Sequence, residues 1–280
     1  MKPETIRTIE ALRKTVSGWR GSGLTIGMVP TMGALHPGHL ALIRAARATS
    51  DRVVVTLFVN PTQFAPTEDL RTYPRDEEAD REKLAESGVD VLFAPAVAEM
   101  YPHGFDTTVS VGGPSAGLET DFRQHFFAGV ATIVAKLLLA GLPDRAFFGE
   151  KDYQQLLVIR KLVRDLNIPT GVVAFPTVRE RDGLAMSSRN AFLNPEERAR
   201  APGLHAVMQE VATRLRDGAA PGAALVEARR TLAASGFAVD YFEVRNAETL
   251  AAVQEWDREP LRILAAARLG KTRLIDNIAV

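Results

Sequence analysis

Short apolar runs alternate with helical patterns through the first part of the chain. The apolar runs, which predict strands, lie at 24–29, 53–59, 89–93, 145–148 and 172–175. The helical patterns between them lie at 39–49, 76–87, 129–140 and 153–166. Nearly uninterrupted apolar strands separated by helices are typical of a parallel sheet with helices on both faces. This part of the chain is therefore predicted to be an α/β domain with a Rossmann-like sheet.

The pattern changes after about residue 177. Asn194, Pro195 and two glutamates form a strong helix start, because Asn caps a helix and Pro fits its first position. Helical segments extend over 194–218 and 222–236, and candidate strands follow at 238–244, 261–266 and 272–278. We therefore predict two domains, one over 1–177 and a smaller α+β domain over 178–280.

The composition narrows the possible partners. The chain has 280 residues, with 34 Lys and Arg against 34 Asp and Glu, and this zero net charge argues against a generally basic nucleic-acid-binding protein. The absence of cysteine excludes a disulfide scaffold and a cysteine nucleophile. The most apolar stretch, 130–142, contains Lys136 and is too short to cross a bilayer. We expect a soluble, cytoplasmic protein with no nucleic-acid or membrane partner.

The first candidate motif, 30–39, follows the first predicted strand and opens the first predicted helix. A helix N-terminus favours an anion such as phosphate, and Gly33 and Gly38 permit close approach to the backbone. His36 and His39 are three residues apart, so both can face one ligand in a helical turn. Imidazole N–H groups can then stabilise charge on phosphate oxygens. The alternative is an ordinary turn with two exposed histidines.

The second motif places two amide side chains, Asn60 and Gln63, after the second predicted strand. They are expected at the same edge of the sheet as the histidines, because parallel strands end on one side. Amide groups suit hydroxyl and carboxylate ligands, since they offer both donors and acceptors. A turn closed by Asn60 alone would also account for the Asn-Pro pair.

A third strand-to-helix junction contains several polar side chains. Gly149 allows close approach, Lys151 supplies a compact charge for phosphate, and Asp152 can cap the helix or bind ribose or a metal ion. Gln155 lies three residues after Asp152, on the same face of a helix. The alternative is a capped helix with a solvated charge run, which explains Glu150 best.

The fourth motif lies near the predicted domain junction. The hydroxyls of Ser187 and Ser188 and the guanidinium of Arg189 can together grip phosphate oxygens. Loops near a domain junction can close over a ligand. An ordinary turn stabilised by a serine hydroxyl is the alternative interpretation.

These four motifs, in this order, closely resemble those of the pantoate–β-alanine ligase (pantothenate synthetase) family. The segments PTMGALHPGH, FVNPTQF, FFGEKDYQQ and MSSRN carry the resemblance, which extends to the end of the chain at RLIDNIAV. The run from His36 to His39 resembles the HxGH signature of the nucleotidyltransferase superfamily. The family implies a Rossmann-like catalytic domain that binds ATP and pantoate over 1–177, a lid domain over 178–280 and a homodimer.

The resemblance also implies a reaction, in which ATP, pantoate and β-alanine give pantothenate, AMP and pyrophosphate with Mg²⁺. The pantoate carboxylate would attack the α-phosphate of ATP to form pantoyl adenylate. The β-alanine amine would then attack the acyl carbonyl and expel AMP. No protein nucleophile is needed, which agrees with the absence of cysteine. Catalysis would come from orientation of the substrates and stabilisation of phosphate charge.

The positions that match the family's motifs imply the following site. Pantoate would be bound by Asn60, Gln63, Arg123 and Gln155. ATP would be bound by Met32, His36, His39, Gly149, Lys151, Asp152, Val178, Ser187, Ser188 and Arg189. The stabilisers of the transition state would be His36, His39, Lys151 and Arg189. Tyr73 would lie in a loop beside the phosphates, and no residue is assigned to the metal.

One segment, 123–130, departs from the family's pattern. The family has an Arg-Pro-x-His-Phe run before Gly-Val, whereas this chain reads RQHFFAGV. Arg123 keeps its position, but Phe126 stands where the family has histidine, and His125 comes one place early. The role of the family's histidine therefore has no clear owner in this sequence.

Two other functions compete with the ligase. A nucleotidyltransferase on the same fold would move AMP or CMP onto a phosphorylated acceptor, but it would not explain the paired Gln63 and Gln155. A non-catalytic nucleotide-binding module would fit the altered segment at Phe126. The presence of His36 and Lys151 argues against that module.

Overall fold

The structure is a computed structural model that describes residues 2–65, 70, 72–253 and 259–280. The chain divides into two compact units. The first contains Met1–Gly149 and Val158–Pro176, and the second contains Glu150–Leu157 and Thr177–Val280. The sequence placed the junction beside residue 177, but it assigned the short segment Glu150–Leu157 to the first domain. The functional roles of the two domains stay predictions.

The first unit is built on a six-stranded sheet. Its strands are β1 Glu4–Ile6, β2 Ile26–Thr31, β3 Arg52–Leu57, β4 Val91–Phe93, β5 Arg145–Gly149 and β6 Gly171–Phe175. All neighbouring strands are parallel, in the order β1-β4-β3-β2-β5-β6. The predicted α/β class is therefore confirmed. Only β1 was missed, because its three residues include one buried apolar side chain, Ile6, and give no apolar run.

Seven helices accompany this sheet in the described part of the chain. They are α1 Ile9–Gly21, α2 Pro37–Thr49, α3 Glu77–Glu86, α4 Val97–Met100, α5 Glu119–Phe122, α6 Phe126–Gly141 and α7 Tyr153–Asp165. The helix α6 is buried along most of its length, as expected of a helix that is apolar on all sides. Among the residues described, no helix combines the length and apolar character needed to span a membrane.

The centre of the sheet marks the place where a ligand is expected. The strand β2 lies between β3 and β5, so the chain continues on one side of β2 and later returns on the other. Open α/β sheets bind ligands beyond the carboxyl ends of the strands at such a reversal. Thr31 ends β2 and Gly149 ends β5, so the histidine motif and the lysine motif each follow one of these two strands.

The second unit has a separate antiparallel sheet with its own core. The sheet contains β7 Ala238–Asn246, β8 Leu261–Leu269 and β9 Thr272–Ala279, and the helices are α8 Pro195–Arg200, α9 Gly203–Arg216 and α10 Pro221–Ala234. The predicted cap is present: Asn194 Oδ1 accepts from the N–H of Glu197 at 2.9 Å, and Glu197 accepts in return from the N–H of Asn194 at 3.0 Å. Buried side chains such as Leu215, Phe242 and Ile263 form the core.

In the first unit, α6 packs against the 3-10 turn Pro61–Gln63 without space for a side chain between them. A Cβ atom at Gly129 would lie 2.5 Å from the carbonyl oxygen of Thr62 and 2.9 Å from the backbone nitrogen of Gln63. The clash would be with backbone atoms, which cannot rotate away as a flexible side chain can. Gly129 therefore determines how closely the turn that contains the second motif approaches α6.

We predict that Gly129→Ala lowers the free energy of unfolding by about 1–3 kcal/mol, the usual cost of overpacking. Urea denaturation measures this change. Gly18→Ala is the matched control, because Gly18 lies in α1 and a Cβ atom added there would meet no neighbouring atom within 4 Å. That control is expected to stabilise the protein by about 0.5–1 kcal/mol. Equal effects of the two substitutions would contradict the packing argument.

Candidate active site

The loop between β2 and α2 is fastened by buried polar side chains. Thr31 Oγ1 donates to the carbonyl of Thr56 at 2.7 Å and accepts from the N–H of Gly33 at 3.2 Å. Asp80, which is 2% exposed, accepts from the N–H of Leu35 at 2.8 Å. Gly33 has a φ of +84°, and a Cβ there would lie 3.1 Å from Asp80 Oδ2. Both the backbone conformation and the space therefore favour glycine at this position.

The two histidines of the first motif cap the helix that follows them. His36 is the N-cap residue of α2, and its Nδ1 accepts from the N–H of Gly38 at 3.2 Å. His39 Nδ1 accepts from the N–H of His36 at 3.3 Å. The ring centroids are 4.0 Å apart. The two imidazoles thus satisfy backbone donors that the first turn of a helix leaves unpaired.

This capping arrangement fixes the proton of each ring. A ring nitrogen that accepts a hydrogen bond carries no proton, so the hydrogen-bond partners assign the proton of His36 and of His39 to Nε2. Each Nε2–H is then a donor of the kind that suits a phosphate oxygen at the start of α2. The same side chains therefore stabilise the helix and carry N–H groups of a kind that suits an anion.

Asn60 is 1% exposed and organises the turn after β3. Its Oδ1 accepts from Tyr101 OH at 2.8 Å and from Thr62 Oγ1 at 3.0 Å. Its Nδ2 donates to Gln63 Oε1 and to the carbonyl of Gly129, both at 3.1 Å. Burial raises the pKa of Tyr101, so its hydroxyl remains a donor at neutral pH. Protein groups thus occupy both ends of the Asn60 amide, and the bond to Oε1 sets the orientation of Gln63.

Gln63 lies at the edge of this network, with 9% of its surface exposed. Its Oε1 accepts from Asn60, and its Nε2 contacts Met32 Sδ at 3.0 Å. A thioether is a weak acceptor, so this contact restrains Nε2 only weakly, and the bond from Asn60 sets the orientation of the amide. With respect to the described residues, one Nε2 hydrogen and one lone pair of Oε1 are left for a ligand. This arrangement suits a small acid that carries hydroxyl groups.

The segment that departs from the family's pattern contacts the backbone of Gln63. Arg123 donates to the carbonyl of Gln63 at 3.1 Å and lies 3.7 Å from Glu119. Its guanidinium carbon is 3.8 Å from the centre of the Phe126 ring, which is a cation–π contact. His125 is exposed and makes no side-chain cap to α6. Phe126 therefore holds Arg123 in place by stacking. The exposed His125 does not take the place of Phe126 in this contact.

In the second unit, the lysine motif forms the 3-10 turn Glu150–Asp152. The side chain of Lys151 is 19% exposed, and its Nζ is 3.9 Å from Asp152 Oδ1, which is too long for a hydrogen bond. Glu150 accepts from Arg262 at 2.9 Å. The interpretation of Glu150 as part of a solvated charge run is therefore wrong, because it forms a half-buried ion pair that the sequence does not reveal.

The serine motif also follows a hairpin in the second unit. The N–H of Met186 donates to the carbonyl of Val178 at 2.9 Å, which joins the two ends of the hairpin. Ser187 caps the 3-10 helix Ser188–Phe192, because its Oγ accepts from the N–H of Arg189 at 3.2 Å. The serine turn considered as an alternative is thus present. It still leaves the hydroxyl hydrogen of Ser187 able to donate to an anion.

The predicted residues divide between the two units. In the first unit, hydrogen bonds join Met32, Asn60, Gln63 and Arg123, and the histidine pair caps α2. In the second unit, the turn Glu150–Asp152 leads into α7. The half-buried Gln155 lies in the first turn of that helix. The proposed pairing of Gln63 with Gln155 stays a prediction. Tyr73 is 6% exposed and packs edge-on against Phe64.

Sequence reasoning missed four residues that position these groups. They are Asp80, Tyr101, Gly129 and Asn277, and each is in contact with a motif that is distant along the chain. Asn277 had one usable signal: the polar pair Asp276-Asn277 interrupts an otherwise alternating strand near its end. The other three residues have no local pattern that distinguishes them from surface or core positions.

We predict that His36→Ala lowers the free energy of unfolding by about 0.5–2 kcal/mol, because α2 loses its cap. The free energy of unfolding of His36→Asn is expected to be close to that of the unsubstituted protein. The reason is that Asn is among the best N-cap residues and its Oδ1 can replace Nδ1. Urea denaturation of the two variants provides the comparison. The capping assignment is wrong if both variants lose the same stability.

Comparison with known proteins identifies the family of the chain. Residues 4–279 match the sequence profile of the family described as pantoate-beta-alanine ligase. A pantothenate synthetase of Mesorhizobium japonicum is 55% identical over 281 residues, which cover 100% of this chain and 98% of that protein. A pantothenate synthetase of Paramagnetospirillum magneticum is 57% identical over 276 residues, with coverage of 98% and 97%.

Solved structures agree with the sequence matches. The pantothenate synthetase of Thermus thermophilus superposes with a TM-score of 0.91 at 48% identity, and the match covers 98% of each chain. The pantoate-beta-alanine ligase of Francisella tularensis, crystallised with beta-gamma ATP and beta-alanine, gives a TM-score of 0.84 at 33% identity, with coverage of 99% and 97%. The fold, the four motifs and these matches agree along nearly the whole sequence, and the chain belongs to the pantoate–β-alanine ligase family.

Proposed function

We propose that this chain condenses pantoate with β-alanine to pantothenate at the expense of ATP, through a pantoyl-adenylate intermediate. The observation that carries the proposal is the histidine pair at the start of α2. Both rings use Nδ1 to cap the helix, which places the proton of each ring on Nε2, where it can be donated to phosphate. The relative from Francisella tularensis, crystallised with beta-gamma ATP and beta-alanine, supports the choice of substrates.

In the first step, a carboxylate oxygen of pantoate attacks the α-phosphorus of ATP. A P–O bond forms, the bond to the bridging oxygen breaks, and pyrophosphate leaves with that electron pair. Negative charge on the phosphate oxygens is stabilised by the Nε2–H groups of His36 and His39 and by the ammonium of Lys151. Preorganised donors of this kind supply electrostatic catalysis without a covalent intermediate on the protein.

Pantoate is bound by the side-chain amide of Gln63. Asn60 holds that amide through its Oε1, and Arg123 holds the backbone carbonyl of Gln63. Gln155 also binds the acid, as the family resemblance implies. Ser187, Ser188 and Arg189 bind the phosphates of ATP from the second unit. Met32, Gly149, Asp152 and Val178 complete the nucleotide site.

In the second step, the amine of β-alanine attacks the acyl carbonyl of pantoyl adenylate. An amide C–N bond forms, the acyl C–O bond to the phosphate breaks, AMP leaves with its electron pair, and the proton lost by the amine passes to solvent. No side chain of this protein has to become acylated. The role of the chain is to hold the two reactants in line and to exclude competing attack by water.

Mg²⁺ fits the proposed site through the nucleotide. Among the described residues there is no cluster of three or more His, Asp or Glu that could hold a metal ion. Magnesium is commonly held by substrate phosphates and only one or two carboxylates. Asp80 Oδ2 is buried without a hydrogen-bond partner in the described structure, but it is closed to solvent and its carboxylate lies 3.6 Å from Lys83 Nζ, so no protein ligand is assigned to the ion. The ion would neutralise charge on the triphosphate.

Three further properties follow from the family resemblance alone. They are a homodimeric assembly, dependence on Mg²⁺ and a location in the cytoplasm. All three stay predictions for this chain.

Exchange of labelled pyrophosphate into ATP, with Mg²⁺ and without β-alanine, tests the proposed function. We expect exchange only when pantoate is present, because adenylation is reversible. His36→Asn and Lys151→Ala are each expected to slow the exchange about 10²–10³-fold, the usual effect of losing one preorganised stabiliser. His36→Asn keeps the helix cap, so its loss of rate reports the Nε2–H donor alone.

Lys271→Ala is the matched control, because Lys271 is an exposed lysine of the second unit. Its rate of exchange should equal that of the unsubstituted protein. Exchange that needs no pantoate would point to a different acceptor. Formation of a stable nucleotidylated product would favour a nucleotidyltransferase, and ATP binding without any turnover would favour a non-catalytic module.

Gln63→Ala is predicted to raise the KM for pantoate at least about tenfold, while the KM for ATP changes little. The reason is that removal of the amide leaves the hydroxyl and carboxylate groups of the acid without a partner. Steady-state kinetics with each substrate varied in turn measure both constants. Gln209→Ala, an exposed glutamine of α9, is the control. A change confined to the KM for ATP would show that the acid pocket is misplaced.

A further inference from the structure

Two adjacent polar residues, Asp276 and Asn277, are buried in β9. Asp276 is 5% exposed and Asn277 is 3% exposed. Buried polar side chains are costly unless their hydrogen bonds are made, so their partners indicate what the two residues do. All of the partners described below belong to the second unit.

The amide of Asn277 holds the lysine turn by its backbone. Its Nδ2 donates to the carbonyl of Glu150 and to the carbonyl of Lys151, both at 2.8 Å. These contacts span 127 and 126 residues of sequence. Both hydrogens of the Asn277 amide are therefore donated to the peptide groups on either side of Lys151, which fixes the backbone from which its side chain extends.

The guanidinium of Arg262 fixes the orientation of this amide. Arg262 Nε donates to Asn277 Oδ1 at 2.7 Å, and another guanidinium nitrogen donates to Glu150 Oε2 at 2.9 Å. The guanidinium also stacks on the Tyr153 ring at 3.9 Å. A flipped Asn277 amide would place two donors against each other, so only one orientation satisfies the network.

The neighbouring Asp276 holds the hairpin that leads to the serine motif. Its two carboxylate oxygens pair with the two terminal nitrogens of Arg179 at 2.6 and 2.9 Å. Arg179 also donates to the carbonyl of Gly183 at 3.0 Å and to the carbonyl of Asn277 at 3.3 Å. The side chain of Arg179 is 20% exposed, so the pair is largely shielded from water. Such bidentate pairs are directional as well as strong.

We propose that Asp276 and Asn277 are positioning residues that set the lysine turn and the serine hairpin relative to each other. Asn277 fixes the backbone at Lys151, and Asp276 fixes the hairpin between Val178 and Ser187. Adjacent residues of one strand thereby join two segments that both contain nucleotide-binding side chains. The inference rests on the proposed function for the role of Lys151 at the phosphates of ATP.

The physical reason is the steep dependence of electrostatic catalysis on position. A displacement of about 1 Å can cost about 10²-fold in rate even when it originates outside the reacting groups. A lysine side chain is flexible, so the ammonium is placed accurately only if the backbone from which it starts is fixed. Asn277 supplies that fixed point without contacting the substrates.

A double-mutant cycle between Asn277→Ala and Lys151→Ala tests the proposal. The readout is the rate of pantoate-dependent pyrophosphate exchange. Asn277→Ala alone is expected to lower kcat about 10–100-fold, with the KM for pantoate unchanged. In the Lys151→Ala background the same substitution should lower kcat less than about threefold, because its target is already absent. An equal loss in both backgrounds would overturn the proposal and leave Asn277 a structural residue.

Two further variants separate positioning from loss of stability. Asn246→Ala removes another buried asparagine of the second unit, whose amide contacts neither nucleotide-binding segment. It should lower stability but leave kcat within about twofold of the unsubstituted protein. Asn277→Asp keeps the shape and the acceptor for Arg262 but cannot donate to the two carbonyls. If Asn277→Ala fails to fold, the cycle is run with Asn277→Asp, with the same expected non-additivity.

Binding of a non-hydrolysable ATP analogue distinguishes failure of this inference from failure of the proposed function. It is measured for the four proteins of the cycle: the unsubstituted protein, the two single variants and the double variant. We expect Asn277→Ala to weaken binding at least about fivefold when Lys151 is present and little when it is absent. If the unsubstituted protein shows no exchange but this coupling is found, the proposed reaction is wrong and the positioning role stands. If the weakening is the same with and without Lys151, the positioning role is wrong.

Discussion

Unpaired backbone groups at the ends of helices and turns are the constraint on which the candidate site depends. Such groups must find hydrogen-bond partners wherever water is excluded. His36, His39 and Ser187 each meet this requirement with one atom of the side chain. Because imidazole and hydroxyl groups have a second polar function, the other side of each group can serve a ligand. The residues that satisfy these backbone groups are thus the same ones that are proposed to bind the ligand.

The same logic extends to residues that do not reach the ligand. Asn60 uses both ends of its amide within the protein, and the consequence is that Gln63 is held in one orientation. Asn277 does the same for the turn at Lys151. Fully satisfied amides make rigid supports, because any rotation leaves a buried donor or acceptor without a partner. Short polar side chains therefore position the longer ones, Gln63 and Lys151, that are proposed to bind substrates.

The altered segment 123–130, at the start of α6, departs from the family's pattern but still supports the backbone at Gln63. Phe126 stands where the family has histidine, yet it stacks on Arg123, which still donates to the carbonyl of Gln63. The contact between Gly129 and the turn at Thr62 is also kept close. The backbone around Gln63 is therefore supported from two directions.

The sequence by itself determined the parallel sheet, the smaller α+β unit, the cap at Asn194 and the four motifs, because apolar periodicity and capping act over a few residues. It could not assign Glu150–Leu157 to the second unit, nor find the ion pair between Glu150 and Arg262. It also could not show that Asn277 holds the lysine turn, 126 residues away in sequence. Such contacts exist only once distant strands are packed, and tertiary structure alone decided them.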